Sequence, residues 1–292
     1  MAHVSASIRP PRPARPVRPT ETPDDRPRPG WDHDAEIRTI RALWGRQKRE
    51  GSAALVHGAD LDYAAAHIEN DVALRRRLRV LDQVAALLPP RGRVFEWGCQ
   101  HALDSCVYRM RFGDALELHG ADLYEPGPFH VFHEFSGLYY KPLDHPVFMP
   151  YPDGHFDVIT SNGVLEHVDD DATSLYEISR ILRPGGTFIL TCLPNRLSYT
   201  EALQRLLGHN AHDRLYSLRS AAELLRPPGF EVVDAGHSFV LPTMLYGFPP
   251  PVQRAFRRLD RPLHRLNAAL ERLWPLKLIA SNLWLVARKP DR

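Results

Sequence analysis

One segment of the chain, residues 151–195, constrains the fold more than any other (YPDGHFDVITSNGVLEHVDDDATSLYEISRILRPGGTFILTCLPN). Two short apolar runs within it, His155–Ser161 and Thr187–Leu193, are rich in β-branched residues and are bounded by turn residues. Such runs predict strands that are buried on both faces of a parallel sheet. Between them, apolar residues at helical spacing predict a helix with one face on the sheet. These residues are Leu175, Ile178, Ile181 and Leu182.

The order of these elements predicts where a ligand binds. A strand, a helix and a second strand of these lengths form one right-handed βαβ unit. The carboxyl ends of its strands open into the crevice where doubly wound sheets bind their ligands. We therefore expect Asn162–Glu166 and Leu193–Asn195, which follow the two strands, to face a binding site.

The overall composition is that of one globular α/β domain. A chain of 292 residues that is 43% hydrophobic can bury one full core with additional elements. Its formal charge of +2 is too small to indicate a nucleic-acid partner. The three cysteines, Cys99, Cys106 and Cys192, are too few for a disulfide framework, and no apolar run approaches the ~18 residues of a membrane span. Because the N-terminus also lacks the apolar stretch of a secretory signal, we predict a cytoplasmic protein.

The chain divides into three parts. Residues 1–30 are dominated by Pro and Arg, which predicts a disordered tail. Residues 31–90 contain two predicted helices, at 34–57 and 62–88, and residues 91–292 form the predicted catalytic domain. Besides the two central strands, we expect strands at Arg93–Trp97, Leu116–Asp122, Tyr139–Leu143, Phe230–Gly236 and Ser281–Arg288.

The central segment also carries a family resemblance. The string FDVITSNGVLEHVDD, followed by the helix and then by RILRPGGTFIL, is similar to the central block of class I S-adenosylmethionine-dependent methyltransferases. More narrowly, it resembles the small-molecule branch with an LEH turn and an LRPGG turn. The resemblance covers roughly Val94–Val233 and a last strand near the C-terminus. It implies a doubly wound, mostly parallel, seven-stranded Rossmann-like α/β sheet with an antiparallel last strand, a helical insertion at 240–280, and S-adenosyl-L-methionine as the cofactor.

Residues for the methionine end of the cofactor are expected in the segment FEWGCQHA. The resemblance implies that Glu96 helps to hold the amino group. It also implies that backbone N–H groups at Gly98, Cys99 and Gln100 approach the carboxylate. The family usually reads acidic-x-Gly-x-Gly-x-Gly, whereas this chain has Gln100 and Ala102 at the second and third glycine positions. The side-chain amide of Gln100 could still hydrogen-bond the carboxylate.

Other cofactor contacts are expected where strands end. Asp122 ends the second strand and is followed by Leu123. An acid at this position can accept both ribose hydroxyls, although it could instead cap a helix. Asp144 resembles the family acid that meets the adenine amino group, with a plain turn residue as the alternative. Asn162 follows the fourth strand and is expected on the cofactor side of the crevice.

His167, in the LEH turn, is the main candidate for a chemical role. It could take a proton from a substrate hydroxyl as the methyl group arrives, or it could only shape the turn. The segment after the fifth strand is expected to line an acceptor site, with His212 as the first residue to test. Its polar candidates are Asn195, Tyr199, His209, His212 and Tyr216. The acids at 169–171 suit a helix start, and we predict no metal site.

The insertion before the last strand is amphipathic and basic. Residues 251–274 place leucines on apolar stripes with arginines between them, and the sequence predicts two helices broken at Pro262. Two interpretations remain open. The segment could lie on an anionic membrane surface, which implies peripheral membrane contact and a lipid-linked acceptor. It could instead be a lid or the contact of a homodimer.

The combined features predict a methyltransferase with a small or lipid-linked acceptor. The expected reaction is O-methylation of a sugar or natural-product hydroxyl, in glycan or secondary-metabolite biosynthesis. The alternative is a non-catalytic, methyltransferase-like binding or scaffold protein, which Gln100 and Ala102 in place of glycines suggest. A nicotinamide dehydrogenase is disfavoured, because the glycine spacing is wrong for it and the LEH and RPGG turns have no role there.

Overall fold

The computed structural model describes residues 30–50, 64–123, 129–206, 212–242 and 250–291. The predicted disordered tail, except for its last residue, lies outside these ranges. The end of the first predicted helix and His209 also lie outside them.

Helices and strands alternate along most of the chain. The helices are α1 (His33–Glu50), α2 (Asp71–Ala85), α3 (Leu103–Phe112), α4 (His130–Ser136), α5 (Asp171–Ile181), α6 (Tyr199–Leu206), α7 (Leu218–Leu225), α8 (Pro250–Arg258) and α9 (Asp260–Leu270). The strands are β1 (Gly92–Trp97), β2 (Leu116–Asp122), β3 (Tyr139–Pro142), β4 (Phe156–Asn162), β5 (Leu182–Pro194), β6 (Glu231–Ser238) and β7 (Asn282–Arg288). None of the described helices combines the length and the apolar character needed to span a bilayer.

The seven described strands form one sheet in the order β3-β2-β1-β4-β5-β7-β6. β7 is antiparallel to both β5 and β6, and the other neighbouring strands are parallel. The expected doubly wound α/β sheet with an antiparallel last strand is therefore confirmed. The order of the strands reverses between β1 and β4, and a switch point of this kind is where doubly wound sheets bind ligands.

Both faces of the sheet are covered by helices. Val94 and Val158 belong to the core cluster formed with α1, α2, α3 and α4. Phe95 and Ile159, one residue further along their strands, belong to the cluster formed with α5 and α7. Because successive side chains of a strand point to opposite faces, this burial explains the continuous apolar runs of the central strands. The N-terminal helices thus share a core with the sheet.

The sequence predicts one helix at 62–88, but the structure has two helical segments there. Residues 64–68 are helical, and a second helix, α2, starts at Asp71. The side-chain oxygen of Asn70 accepts hydrogen bonds from the N–H groups of Val72 and Ala73, at 3.0 and 3.2 Å. A side chain that caps a helix in this way begins a new helix and separates it from the preceding one.

The LRPGG segment, expected as a turn before the fifth strand, lies inside β5. The first residue of β5 already pairs with Phe156, and Thr187 pairs with Val158, so the regular register is lost between them. Pro184 cannot donate a ladder hydrogen bond, and Gly185 has a φ of +70°. The segment is therefore a bulge within a strand.

The amphipathic insertion breaks earlier than expected. α8 ends at Arg258 and α9 begins at Asp260, so the break falls at Leu259. Pro262 lies in the first turn of α9, where an N–H group has no partner within the helix and its loss costs little. An ion pair between Asp260 and Arg79 of α2 holds the start of α9 against the rest of the domain.

The insertion packs on the domain through one side only. Asn267 accepts a hydrogen bond from the N–H of Leu241 at 3.0 Å, and Glu271 accepts one from the N–H of Phe239 at 2.6 Å. These contacts tie the insertion to the segment that follows β6. Large apolar side chains elsewhere on the segment remain exposed, namely Leu259, Leu266, Leu273 and Trp274.

A buried ion pair between α1 and α3 allows a prediction about stability. Arg111 donates two hydrogen bonds to Glu36, at 2.6 and 2.9 Å, and their side chains are only 1% and 7% exposed. Arg111→Ala leaves the Glu36 carboxylate buried without this partner, so we expect the free energy of unfolding to fall by about 3–5 kcal/mol. Urea unfolding measures the change. The control is Arg219→Ala, which breaks an exposed pair with Glu223 and should alter stability little. Equal losses in the two variants would contradict the prediction.

Candidate active site

Two cavities meet at the carboxyl ends of the central strands. The first has a volume of about 520 Å³ and lies beyond the ends of β1 and β2. The second has a volume of about 500 Å³ and lies between α2, α6 and the end of β4. Both walls include His67, Arg77, Asn162, Gly163 and His167. The site therefore has room for two molecules that touch at this shared wall.

The structure brings most of the predicted cofactor residues to the first cavity. Its wall includes Glu96, Gly98, Cys99, Gln100, Asp122, Leu123 and Asn162. Asp144 is placed differently: it is exposed, while Leu143 and Pro146 on either side of it line the cavity. The position of Asp144 thus gives no support to its predicted adenine contact, and the wall there is apolar.

The loop at 98–102 follows the path of a glycine-rich turn although it lacks two of the glycines. Gly98, Gln100 and Ala102 all have positive φ angles, of 70°, 37° and 54°. A left-handed backbone costs a non-glycine residue about 1–2 kcal/mol, so neighbouring groups must hold Gln100 and Ala102 in place. The N–H groups of Gly98, Cys99 and Gln100, which were expected to approach the methionine carboxylate, donate instead to the carbonyl oxygen of Ala121 and to Asp122.

Gly98 and Gly120 allow close packing around this loop. A Cβ atom on Gly98 would lie 2.5 Å from Cγ2 of Val164, so the loop after β1 packs directly on the loop after β4. A Cβ atom on Gly120 would lie 2.7 Å from Sγ of Cys99. Burial raises the pKa of the Cys99 thiol well above its usual value, which makes Cys99 a packing residue and a poor nucleophile.

Asp122 holds the loop from the neighbouring strand. Its Oδ2 accepts a hydrogen bond from the N–H of Gln100 at 2.8 Å, and its Oδ1 accepts one from the N–H of Leu123 at 2.7 Å. The carbonyl oxygen of Gln100 lies 2.9 Å from Nε2 of His133. These contacts stabilise the strained backbone at Gln100. A carboxylate oxygen can accept more than one hydrogen bond, so the contacts that hold the loop do not exclude a ligand from Asp122.

Glu96 is a buried carboxyl group beneath the loop. Its Oε2 accepts hydrogen bonds from the N–H and the hydroxyl of Ser105, at 3.0 and 2.5 Å. Burial, together with the nearby Asp104 carboxylate, raises the pKa of Glu96 to about 8. Arg77 donates two hydrogen bonds to Asp104, at 2.6 and 2.7 Å. A cationic ligand group at this wall would favour the ionised form of Glu96.

Two histidines and two glutamates lie together in the wall of the second cavity. These residues, Glu166, His167, Glu201 and His212, are called the His–Glu cluster below. Nδ1 of His212 lies 2.9 Å from Oε1 of Glu201. Nε2 of His167 lies 4.0 Å from Oε1 of Glu166. The ring centroids of His167 and His212 are 5.8 Å apart. The side chain of His167 is 61% exposed, whereas that of Glu166 is 2% exposed.

Burial affects the charge of this cluster and of its neighbourhood. It raises the pKa of Glu166 to about 7, and the charge of Glu201 adds to the rise. Burial and the charge of His212 lower the pKa of His167. The side-chain oxygen and nitrogen of Asn162 are buried, and neither has a hydrogen-bond partner within the described part of the chain. Buried polar atoms in a cavity wall are suited to a bound ligand.

The other predicted acceptor residues that the structure describes do not line the cavities. Asn195 donates hydrogen bonds to two backbone carbonyls, at 2.8 and 2.7 Å, and Tyr216 donates to one at 3.3 Å. Tyr199 is half-buried and outside both cavity walls. His209 is outside the described residues. Among the described members of this group, only His212 lines the second cavity.

The sequence did not reveal the part that the N-terminal helices and α6 play in the site. His67, Arg76 and Arg77 line the cavities, and Glu201 of α6 completes the His–Glu cluster. A run of arginines on a helix usually indicates a solvated face, so its sequence gives no functional signal. These residues reach the site because α2 and α6 pack over the ends of the strands.

Comparison with known proteins identifies the family. Residues 66–235 match the family model described as a methyltransferase domain. The chain belongs to this family. By family and by fold it is a member of the S-adenosylmethionine-dependent methyltransferases, so the expected cofactor class is confirmed.

Named relatives match parts of this methyltransferase. A probable S-adenosylmethionine-dependent methyltransferase of Mycolicibacterium smegmatis is 37% identical over 86 residues, which cover 30% of this chain and 33% of the relative. The chain thus spans about a third of that relative's length. A ubiquinone biosynthesis O-methyltransferase of Thiobacillus denitrificans is 27% identical over 171 residues, covering 54% of this chain and 72% of the relative.

A solved structure shows the same fold. The phosphoethanolamine N-methyltransferase 2 of Haemonchus contortus was solved with phosphomonomethylethanolamine and S-adenosylhomocysteine. It superposes with a TM-score of 0.50 at 17% identity, covering 74% of this chain and 52% of that protein. At this level of identity the likeness shows the shared fold alone.

The loop geometry predicts different outcomes for replacing Gly98 and for introducing a glycine at position 100. Gly98→Ala forces the loop away from Val164, so we expect the affinity for S-adenosylmethionine to fall by about tenfold or more, which corresponds to about 1.4 kcal/mol. Gln100→Gly restores the family residue at a position that already has positive φ, so the affinity should change by less than about threefold, or about 0.7 kcal/mol. Isothermal titration measures both. A large gain in affinity with Gln100→Gly would show that Gln100 obstructs the cofactor, contrary to our interpretation.

Proposed function

We propose that this methyltransferase transfers the methyl group of S-adenosyl-L-methionine to an oxygen of a small acceptor, most simply a hydroxyl of a sugar or natural product. The observation that carries the proposal is the junction of the two cavities at Asn162, Gly163 and His167. Methyl transfer from a sulfonium is an in-line displacement, so cofactor and acceptor must face each other across one opening. The relative from Thiobacillus denitrificans, named an O-methyltransferase, supports oxygen as the acceptor atom.

The residues of the first cavity fit the parts of the cofactor. The N–H groups of Gly98, Cys99, Gln100 and Ala102 already donate to protein oxygens. The side-chain amide of Gln100 is therefore our candidate for the methionine carboxylate, and Glu96 offers a carboxyl group for the amino end. Asp122 can accept hydrogen bonds from the ribose hydroxyls while it still holds the loop. Leu123 and Leu143 provide an apolar wall for the adenine. The cofactor supplies the methyl group and its leaving group, and these residues bind and orient it.

The second cavity fits a polar acceptor. Its wall combines the His–Glu cluster with Arg76 and Arg77, all of which can hydrogen-bond hydroxyl groups. A hydroxyl must lose its proton as its oxygen bonds to the methyl carbon, and the carbon–sulfur bond breaks with its electron pair going to sulfur. The cluster lies where it can receive that proton.

We further propose, from the proposed acceptor class, that the reaction belongs to glycan or secondary-metabolite biosynthesis. A cytoplasmic location is part of the same proposal. Cys99, Cys106 and Cys192 are free thiols, which suits a reducing compartment.

Asp122→Ala tests the proposed cofactor site. Loss of a carboxylate that accepts the ribose hydroxyls should weaken binding of S-adenosylhomocysteine by about 10–100-fold, since hydrogen bonds to a charged group contribute about 1.5–3 kcal/mol. Isothermal titration measures the affinity. Asp114→Ala is the control, because the Asp114 side chain is exposed and outside both cavity walls. Equal effects of the two substitutions would contradict the assignment of Asp122 to the cofactor site.

Labelled S-adenosylmethionine tests the reaction. We expect label to pass to oxygen when a panel of glycosides and phenols is supplied, with mass spectrometry locating the methyl group. Methylation of nitrogen or carbon alone would contradict the choice of oxygen. Failure of the chain to bind S-adenosylmethionine or S-adenosylhomocysteine at millimolar concentration would overturn the proposal and favour the non-catalytic scaffold.

The exposed side of the insertion supports peripheral contact with an anionic membrane, where a lipid-linked acceptor would be found. Leu259, Leu266, Leu273 and Trp274 are exposed on this segment. The segment also carries the exposed arginines Arg254, Arg258, Arg261, Arg265 and Arg272. Apolar side chains flanked by arginines are typical of helices that lie on anionic lipid.

Vesicle flotation tests the membrane contact. The chain should float with vesicles rich in phosphatidylglycerol and not with pure phosphatidylcholine, and the double variant Leu273→Ser/Trp274→Ser should bind several-fold less. Tyr176→Ser is the control, because Tyr176 is an exposed ring on α5. Absence of flotation, together with a dimer in light scattering that the double variant dissociates, would assign the surface to a second copy of the chain.

A further inference from the structure

Three side chains of the His–Glu cluster are arranged as the ligands of a metal ion. One ligand atom each from Glu166, His167 and His212 lies within 4.8 Å of the others. Zinc-like cations bind nitrogen and carboxylate oxygen at about 2.0–2.2 Å, so ligand atoms around one ion lie within about 4.4 Å of each other. Small rotations of the side chains would bring the ligand atoms from 4.8 Å to within about 4.4 Å of each other. The exposed ring of His167 is free to rotate in this way.

Glu166 provides an independent observation that points to a cation. Its side chain is 2% exposed and forms part of the wall of the second cavity. Its Oε2 is buried and has no hydrogen-bond partner among the described residues. A buried carboxylate oxygen without a hydrogen-bond partner is costly, and coordination of a cation is one of the few ways to stabilise it.

His212 is oriented as metal-binding histidines are. Its Nδ1 lies 2.9 Å from Oε1 of the buried Glu201, which directs the other ring nitrogen, Nε2, away from that carboxylate. Histidines that bind metals usually hydrogen-bond a carboxylate through the second ring nitrogen, which fixes the tautomer and the ring plane. Glu201 is thus a positioning residue for His212.

We propose that Glu166, His167 and His212 bind one divalent transition-metal cation, with Glu201 orienting His212. Two imidazoles and one carboxylate favour ions such as Zn²⁺, Co²⁺ or Mn²⁺ over Ca²⁺, which prefers oxygen ligands alone. Three protein ligands leave a position open toward the second cavity. Although His212 follows His167 by 45 residues, the fold brings the two rings together.

The metal gives the cluster a defined part in the reaction, and this step rests on the function proposed above. An acceptor hydroxyl bound to the cation has a lowered pKa and loses its proton to water. This route replaces the direct proton transfer to the cluster that is proposed above for the site without a metal. The oxygen then forms its bond to the methyl carbon while the carbon–sulfur bond breaks toward sulfur. In this state His167 holds the cation and does not itself act as the base.

Cobalt titration tests the site without any acceptor. The chelator-treated protein should bind one Co²⁺ per chain with visible absorption bands, and Zn²⁺ should displace it. Glu166→Gln and His212→Ala should each weaken Co²⁺ binding by at least about 100-fold, and Glu201→Gln by about 10–100-fold. His155→Ala is the matched control, because His155 belongs to a second Glu–His–His group, with Glu117 and His119, away from the two cavities. It should leave Co²⁺ binding unchanged.

The outcomes separate the metal site from the reaction. No Co²⁺ binding overturns the metal site, and so does an unchanged stoichiometry and affinity in Glu166→Gln and His212→Ala. An ion that these two variants retain and His155→Ala loses belongs to the second Glu–His–His group. Methyl transfer that continues at full rate in excess chelator also overturns it, while leaving the proposed methyltransferase reaction standing. Co²⁺ binding that is lost in those two variants, in a protein that also binds S-adenosylhomocysteine, supports the metal site whether or not an acceptor has been found.

Discussion

β1 and β4 lie side by side as parallel strands, and Trp97 pairs with Ser161 at their carboxyl ends. The loops that follow the two strands therefore start together, and Gly98 packs on Val164 with no space for a side chain. The loop after β1 forms part of the first cavity, and the loop after β4 forms part of the wall that both cavities share. A shift of this pairing by one residue would turn every side chain to the opposite face and separate the two halves of the site.

The geometry of the loop at 98–102 depends on this packing and on Asp122. Gln100 and Ala102 hold the left-handed backbone that glycines adopt more readily, which costs about 1–2 kcal/mol at each residue. The Asp122 carboxylate accepts a hydrogen bond from the N–H of Gln100 and so offsets part of this cost. Strain held by surrounding contacts is common at functional sites. The substitutions that suggested a non-catalytic protein are thus compatible with a cofactor-binding loop.

The sequence predicts those parts of the molecule that depend on local pattern. Burial on both faces makes the central strands continuous apolar runs, and the predicted bounds Leu116–Asp122 are confirmed. Residues that directly follow strands, such as Asn162, could be assigned to the crevice because parallel strands end at one edge. The pairing of His212 with Glu201 and the placement of Arg76 could not be predicted, because they depend on how α2 and α6 pack over that edge.

The charge of the first cavity bears on how the proposed cofactor site would distinguish S-adenosylmethionine from the product that remains after transfer. Glu96 and Asp122 line its wall, and Asp104 lies behind it in a bidentate pair with Arg77. Burial and the charge of Arg77 lower the pKa of His101 to about 3, so this histidine remains neutral beside the loop. S-adenosylhomocysteine lacks the positive sulfonium of the substrate. Burial raises the pKa of Glu96 to about 8, and Arg77 also lines this wall. In the proposed site the sulfonium of the substrate would therefore favour the ionised form of Glu96, and the product would favour it less.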